Sequence, residues 1–348
     1  MTTKLDRKLA SIRAGRYKRS DFILADAKDG DMGSGLAATG FVAATATAPK
    51  RPRTRAEFLV HIQEVVKQGV VDIMLTSISN LELLHERGCY RNSNVKPAIR
   101  ANDTTDCWAG VRHGAYAKFP SRPFRSANLA RVMYGTAAPA PGQPVTGTDL
   151  GLYSVTFLND VERDAHALEE FARFRAEASA IGFKYFYEVF NPNVATDMDR
   201  AQMGEFINDS ILRSLAGVTK AERPEFLKIV FNGPKALEEL ASFDPSLVVG
   251  VLGGGAGTTR DTFELLSQAE RYGGRLALFG RKINLAEAPL ELLVLMRQVV
   301  DGTIGPEEAV RVYHGELQKL KIAPARPLAT DIGITEEVLK PGATRKAA

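Results

Sequence analysis

The stretches FLKIVFNG (residues 226–233), SLVVGVLGGGAG (246–257) and GGRLALFGRKI (273–283) decide the fold prediction. Each is a short apolar run, typical of a strand buried on both faces, followed by glycines. Amphipathic stretches separate the runs, and one strand with its helix takes about 25–30 residues, the repeat of a parallel α/β barrel. Lys228 interrupts the first run. A lysine in a buried strand needs a structural or chemical reason.

The same alternation of strand and helix extends toward the N-terminus and gives about eight strands. The earlier strands are predicted at Asp21–Ala27, Val71–Ser77, Lys96–Asn102, Leu150–Leu158 and Phe183–Phe190. We therefore predict one α/β domain over residues 1–348, a (β/α)8 TIM barrel at about 20–315. An open doubly wound sheet is the alternative, but no GxGxxG motif follows the first strand.

Two segments fall outside the regular repeat. Residues 103–148 are rich in Arg, Pro and Gly and are predicted to form an insertion after the third strand. Residues from about 320 to 348 are predicted to form a loosely packed C-terminal tail. The basic N-terminal stretch KLDRKLASIRAGRYKR is interpreted as a basic tail on a solvated surface.

Composition narrows the class of protein. The 348 residues are 45% hydrophobic and 25% charged, as in a soluble globular enzyme, and the formal net charge of +4 is scattered. We expect neither a nucleic-acid partner nor a membrane partner. The N-terminus shows no apolar stretch of the kind found in signal peptides, and no run is long enough to span a bilayer. A cytoplasmic protein is expected.

Metal chemistry is not expected either. The two cysteines, Cys89 and Cys107, have no partner at metal-ligand spacing, and the five histidines form no HxxxH or HxH pair. The sequence therefore predicts no metal site and no cofactor.

Lys228 is the leading candidate for a catalytic group. Strand alternation turns Leu227 and Ile229 toward the helices and Lys228 toward the barrel interior. Burial disfavours the charged form of an amine, so the neutral nucleophile needed for Schiff-base formation becomes accessible. The structural alternative is a lysine that only pairs with a carboxylate.

Acidic residues on two other strands could serve that amine. Glu188, in the apolar strand KYFYEVF, is predicted to be a general acid/base or a buried partner of Lys228. Asp26, at the end of the first strand, could hold the amine or substrate hydroxyls. Lys28 is a rival nucleophile, whereas Asp29 and Asp31 are interpreted as loop residues.

Further polar residues could line the pocket. Arg100 ends the third strand and Tyr153 lies in the fourth, where each could contact substrate or fill the barrel. The insertion concentrates Trp108, Arg112 and His113, which could form a lid or a packed loop without a chemical role.

The glycine-rich ends of the last two strands predict a phosphate site. Gly253, Gly254 and Gly255 precede a helix whose candidate caps are Thr258 and Thr259. Small residues let backbone N–H groups approach an anion, and a helix start favours negative charge. The last strand adds Gly280 for close approach and Arg281 for a charge-assisted contact. These two loops commonly bind phosphate in barrels.

With these motifs the chain resembles the class I, Schiff-base aldolases of the DeoC/LacD type, which include archaeal-type fructose-bisphosphate aldolase and tagatose-bisphosphate aldolase. The resemblance covers about residues 20–315, and implies a (β/α)8 barrel with the Schiff-base lysine at Lys228. It further implies phosphate contacts at Gly254, Gly255, Gly280 and Arg281, an acidic residue of strand one at Asp26, and a strand-five carboxylate at Glu188. Lys282 stands where the family's motif has asparagine.

The resemblance implies a metal-independent aldolase that acts on a phosphorylated sugar or a related ketose. Lys228 would form the iminium, while Glu188, with Asp26 or Tyr153, would move protons. Related barrels associate, so we expect a homo-oligomer. Two other functions stay open at this point: a sugar-phosphate isomerase or epimerase with Glu188 as base, and a sugar-phosphate-binding barrel without activity.

Overall fold

The computed structural model describes residues 3–42, 49–104, 110–255 and 257–341. Eight parallel strands in these residues form a closed barrel in sequential order, numbered here in chain order. They are β1 (Ile23–Lys28), β2 (Ile73–Thr76), β3 (Lys96–Arg100), β4 (Leu150–Thr156), β5 (Lys184–Phe190), β6 (Phe226–Ile229), β7 (Val248–Leu252) and β8 (Leu276–Phe279). The predicted (β/α)8 TIM barrel is confirmed.

Helices surround the barrel. Their bounds are α1 (Lys4–Arg13), α2 (Asp31–Ser34), α3 (Arg55–Gln68), α4 (Ile78–Glu86), α5 (Leu129–Tyr134), α6 (Val161–Ile181), α7 (Arg200–Ala216), α8 (Pro234–Phe243), α9 (Thr259–Arg271), α10 (Arg281–Asn284), α11 (Pro289–Asp301), α12 (Pro306–Lys319) and α13 (Leu328–Asp331). Several begin at side-chain caps. Thr54, for example, accepts the N–H of Glu57 and starts α3.

Strand alternation divides the apolar core in two. Ala25, Phe186 and Phe226 belong to a cluster that fills the barrel interior. Their sequence neighbours Leu24, Tyr187 and Leu227 belong to a larger cluster that packs against the surrounding helices. The side on which a polar strand residue lies therefore follows from its position relative to these apolar neighbours.

The N-terminal stretch is a helix, not the basic tail that the sequence predicted. Leu5, Leu9 and Ile12 on one face of α1 belong to the cluster of the barrel interior, so the helix packs against that core. Lys8 on the same face is buried, and its Nζ lies 2.8 Å from Asp72 Oδ2. The apolar residues at this spacing between charged ones form the buried stripe of an amphipathic helix.

The segment after β3 contains little regular structure. A two-residue strand at Asp103–Thr104 pairs antiparallel with Pro123–Phe124. Beyond it, Leu129, Val132 and Met133 of α5 are buried in the outer core. The helix α5 thus anchors this part of the predicted insertion, and hydrogen bonds between Asn193 and the backbone of Phe119 and Ser121 hold it as well.

Residues 328–341 of the C-terminal segment are packed, contrary to the loose tail predicted from about residue 320. Leu339 is fully buried and Asp331 is buried, while Ile332, Ile334 and Val338 pack against the outer core. The segment crosses the N-terminal end of α9, where Thr258 Oγ1 donates to the carbonyl of Gly333 at 2.7 Å. Apolar side chains at these positions explain why the segment docks.

Within the described residues, no helix combines the length and the apolar character that crossing a membrane would require.

Candidate active site

The amine of Lys228 and the carboxylate of Glu188 meet inside the barrel. The two residues are partners in the register of β5 and β6, and Lys228 Nζ lies 2.5 Å from Glu188 Oε1. Their side chains are 8% and 1% exposed. Both follow by two residues an interior phenylalanine of the same strand, Phe186 or Phe226. The ion pair therefore lies above the apolar layer, toward the carboxyl ends of the strands, where barrels place their chemistry.

The second oxygen of Glu188 belongs to a hydrogen-bonded network that the sequence predicted only in part. Ser154 on β4 donates its hydroxyl to Glu188 Oε2 at 2.5 Å. Arg100 on β3 donates to the same oxygen at 3.3 Å and to Ser154 Oγ at 2.7 Å. Arg100 Nε also lies 2.7 Å from Asp29 Oδ2, just beyond β1. Five side chains from five strands or strand ends thus form one connected polar layer.

Backbone contacts fix the position of Ser154. Its N–H donates to Asn102 Oδ1 at 2.6 Å, and its carbonyl accepts from Asn102 Nδ2 at 2.8 Å. Asn102 is fully buried just after β3. This pair of hydrogen bonds ties β4 to the end of β3 and holds the Ser154 hydroxyl between Arg100 and Glu188.

Electrostatics keep Glu188 ionised. Burial by itself raises the pKa of this carboxyl group, but the charges of Lys228 and Arg100 and the hydrogen bonds from Lys228 and Ser154 outweigh it. The pKa of Glu188 consequently lies below its usual value. At neutral pH the group is a carboxylate beside the lysine, able to accept a proton.

The prediction for Asp26 is wrong, because the residue faces the other side of the strand. Asp26 lies between Ala25 and Ala27, which face the barrel interior, and pairs with Lys28 at 3.1 Å, both side chains being fully buried. Burial, followed by the charges of Lys28 and Arg53, lowers the pKa of His61 on α3 to about 3. Neither Asp26 nor the rival nucleophile Lys28 joins the site.

Asp29 occupies the place that the sequence analysis gave to Asp26. Every second residue faces the barrel interior, so Asp29 lies on the same side as Ala25 and Ala27. Its carboxylate accepts a hydrogen bond from Arg100. Strand alternation counted from these apolar positions identifies Asp29, which the sequence predicted to lie in a loop.

Tyr153 is also corrected. Its ring stacks on Phe174 of α6 with a centroid distance of 4.3 Å, so it belongs to the outer core and not to the pocket. Its neighbour Ser154 is the residue of β4 that faces inward. Ser154 is the cross-strand partner of Glu188. Aligning the two strands on this pair shows that Ser154, and not Tyr153, faces the barrel interior.

The proposed lid residues contribute little to the described site. Trp108 lies outside the described residues, while Arg112 and His113 are exposed. Their part in covering the pocket stays a prediction.

The two loops predicted to bind phosphate contain glycines at constrained positions, and the buried cation beside them is Lys282 and not Arg281. Gly254 has φ +64°, and a side chain at Gly280 would come within 3.0 Å of the carbonyl of Ala27. Arg281 is exposed, whereas the Lys282 side chain is fully buried and its Nζ lies 2.9 Å from Glu336 Oε1. Arg281 and Lys282 border a cavity of about 60 Å³ together with Gly257 and Thr258. Phosphate binding by Gly254, Gly255, Gly280 and Arg281 stays a prediction.

Metal ligands do not cluster in the part of the chain that the structure describes. No group of three or more His, Cys, Asp or Glu residues there is arranged to hold an ion.

Comparison with solved structures finds the same barrel in aldolases. An archaeal fructose 1,6-bisphosphate aldolase is 13% identical, with a TM-score of 0.60 over 86% of this chain and 100% of that one. A Schiff-base-forming fructose-1,6-bisphosphate aldolase is 14% identical, with a TM-score of 0.59 over 85% and 100%. A fructose-bisphosphate aldolase from Slackia heliotrinireducens is 13% identical, with a TM-score of 0.58 over 90% and 91%.

No protein-family model and no curated protein matches the sequence. At these identities the structural likeness establishes the fold alone. The chain folds as the (β/α)8 barrel that archaeal and other Schiff-base fructose-bisphosphate aldolases also adopt.

Proposed function

We propose that this protein is a class I aldolase that cleaves or forms a carbon–carbon bond of a phosphorylated ketose through a Schiff base on Lys228. The observation that carries the proposal is the buried contact of 2.5 Å between Lys228 Nζ and Glu188 Oε1 at the active end of the barrel. A buried amine in direct contact with a carboxylate combines the nucleophile that imine formation requires with a group that can accept and return protons during the reaction.

The chemistry then proceeds by proton transfers around that pair. Lys228 attacks the ketone carbon, and the carbonyl oxygen is protonated and leaves as water, giving the iminium. The iminium draws the electrons of the neighbouring carbon–carbon bond as a substrate hydroxyl loses its proton, leaving an enamine and an aldehyde. Glu188, next to the nitrogen, is the group placed to receive and return protons.

The remaining members of the network position the carboxylate and the substrate. Arg100 and Ser154 hold Glu188 Oε2, so that Oε1 stays directed at Lys228. Asp29 is drawn into the same layer by Arg100, and its second oxygen would accept hydrogen bonds from hydroxyl groups of a sugar. These hydrogen bonds restrict the movement of Glu188 and Lys228, which favours a fixed geometry for the attack of the amine on the ketone carbon.

Reductive trapping tests the proposal. We expect that sodium borohydride added with fructose 1,6-bisphosphate attaches a reduced substrate-derived fragment to the peptide that contains Lys228, as read by mass spectrometry. The Lys228→Arg variant keeps a cation but forms no imine, so it should stay unmodified. Lys28 and Lys282 serve as internal controls.

An intact mass that does not change in the wild-type protein, or a fragment on another lysine, would contradict the proposed role of Lys228. An isomerase or epimerase with Glu188 as base would give turnover without trapping. A binding protein would give neither.

A further inference from the structure

The C-terminal segment carries carboxylates onto the loops where the proposed substrate phosphate would bind. Asp331 Oδ1 accepts the N–H of Thr259 at 2.9 Å at the start of α9. Glu336 Oε1 lies 2.9 Å from Lys282 Nζ. The strand-seven and strand-eight loops thus already contact anionic groups of the chain itself.

Glu336 lies directly against the strand-seven loop. A Cβ atom built on Gly257 would be 3.0 Å from Glu336 Oε1. The carboxylate therefore packs directly against the backbone of this glycine, which has no side chain to keep it away. Lys282 is fully buried, whereas the Glu336 side chain is 28% exposed. The Lys282 ammonium group is therefore held inside the fold, whereas the Glu336 carboxylate borders solvent.

The backbone that carries Glu336 is held independently of its carboxylate. Asp261 accepts the N–H groups of Thr335 at 2.8 Å and of Glu336 at 3.2 Å. Leu339, three residues further on, is fully buried and its carbonyl accepts from Gln268 at 2.9 Å. The Glu336 side chain can consequently turn away from Lys282 without undocking the segment.

The surroundings favour an incoming anion. The cavity of about 60 Å³ beside Lys282 is bordered by two further cations, Arg281 and Arg326, and by one carboxylate, that of Glu287, so that cations outnumber anions in its lining. It has room for a small anion or a few water molecules. A phosphate brings more negative charge and more acceptor oxygens than a carboxylate, so it can replace Glu336 on Lys282.

We propose that Glu336 sets the affinity of this anion site: its carboxylate occupies Lys282 and yields that cation only to an anion, such as a substrate phosphate, that competes successfully. The inference rests on the proposed recognition of a phosphorylated ketose and adds a built-in competitor to it. A competitor of this kind lowers the affinity of every anion by the same factor, so that only ligands that bind strongly occupy the site at a given concentration.

Calorimetric titration of the full-length protein with inorganic phosphate tests the inference. Glu336→Gln keeps the size of the side chain and removes its charge, so we expect phosphate to bind about tenfold more tightly than to the wild type. Glu337→Gln is the matched control, since this neighbouring residue is exposed and pairs with Lys340 instead. Its affinity should equal that of the wild type. Lys282→Met should bind phosphate more weakly.

Unchanged or weaker phosphate binding by Glu336→Gln would overturn the inference, because Glu336 would then be a mere neighbour or a support for Lys282. Unchanged binding by Lys282→Met would overturn it as well. Failure of the proposed aldolase function shows elsewhere, as absence of trapping at Lys228. Thermal unfolding of each variant establishes that the compared proteins are folded.

Discussion

The Ser154 hydroxyl lies between Arg100 and Glu188, accepting from the first and donating to the second, and so offers a test of the network at a single atom. In Ser154→Ala, Glu188 loses a hydrogen bond that lowers its pKa, and the pKa should rise. The acidic limb of the pH profile of kcat/KM should therefore move to higher pH. We expect kcat to fall about tenfold, as when a positioned proton-transfer group loses its support.

Tyr153→Phe is the control for that variant, because it also removes one hydroxyl group from β4. Tyr153 packs on Phe174 outside the barrel, so both kcat and the pH profile should match those of the wild type. An unmoved acidic limb in Ser154→Ala, or a loss of activity in Tyr153→Phe, would contradict this assignment of inner and outer faces.

At the scale of one element, α1 closes the interior of the barrel with three apolar side chains. Leu9 is 7% exposed and belongs to the interior cluster, so Leu9→Ala removes buried surface and leaves a cavity. We expect the free energy of unfolding to fall by about 2–5 kcal/mol, measured by urea denaturation.

Arg7→Ala provides the comparison in the same helix, since Arg7 is exposed. Its effect should stay within about 0.5 kcal/mol. Equal stability of Leu9→Ala and the wild type would mean that α1 does not contribute to the core in solution.

Strands could be predicted from the sequence because buried strands read as apolar runs, and Lys228 and Glu188 stood out as charges within such runs. Asp29 did not stand out in the same way, because the first strand ends among polar residues and only alternation counted from Ala25 distinguishes it from Asp26. Ser154 was missed because a serine in a strand is not unusual. Its importance comes from neighbours on β3 and β5.

At the scale of the whole molecule, barrel closure is what assembles the site. Asp29 and Lys228 stand 199 positions apart in the sequence (228 − 29), yet both are linked to Glu188, one through Arg100 and one directly. Sequence patterns predict each strand separately, whereas these contacts depend on the ring of strand pairs. The docking of the C-terminal segment likewise follows from packing that no local pattern encodes.

That docking gives the whole molecule a specific dependence on pH through Asp261. Burial raises the pKa of Asp261, but hydrogen bonds from Thr258, Thr335 and Glu336 outweigh it, and the pKa falls below the ordinary value of 3.8. A carboxyl group with a lowered folded-state pKa stabilises the protein at higher pH. That stability is lost as the pH falls through the lowered value.

Asp261→Asn should therefore destabilise the protein by about 2 kcal/mol near pH 7, the scale of a charge-assisted hydrogen bond. The difference from the wild type should hold down to about pH 5 and shrink below about pH 4, as Asp261 becomes protonated. Urea unfolding across this range measures it, with Asp209→Asn on the exposed face of α7 as the control. A difference that stays constant into acid would show that the negative charge of Asp261 does not hold the C-terminal segment on α9.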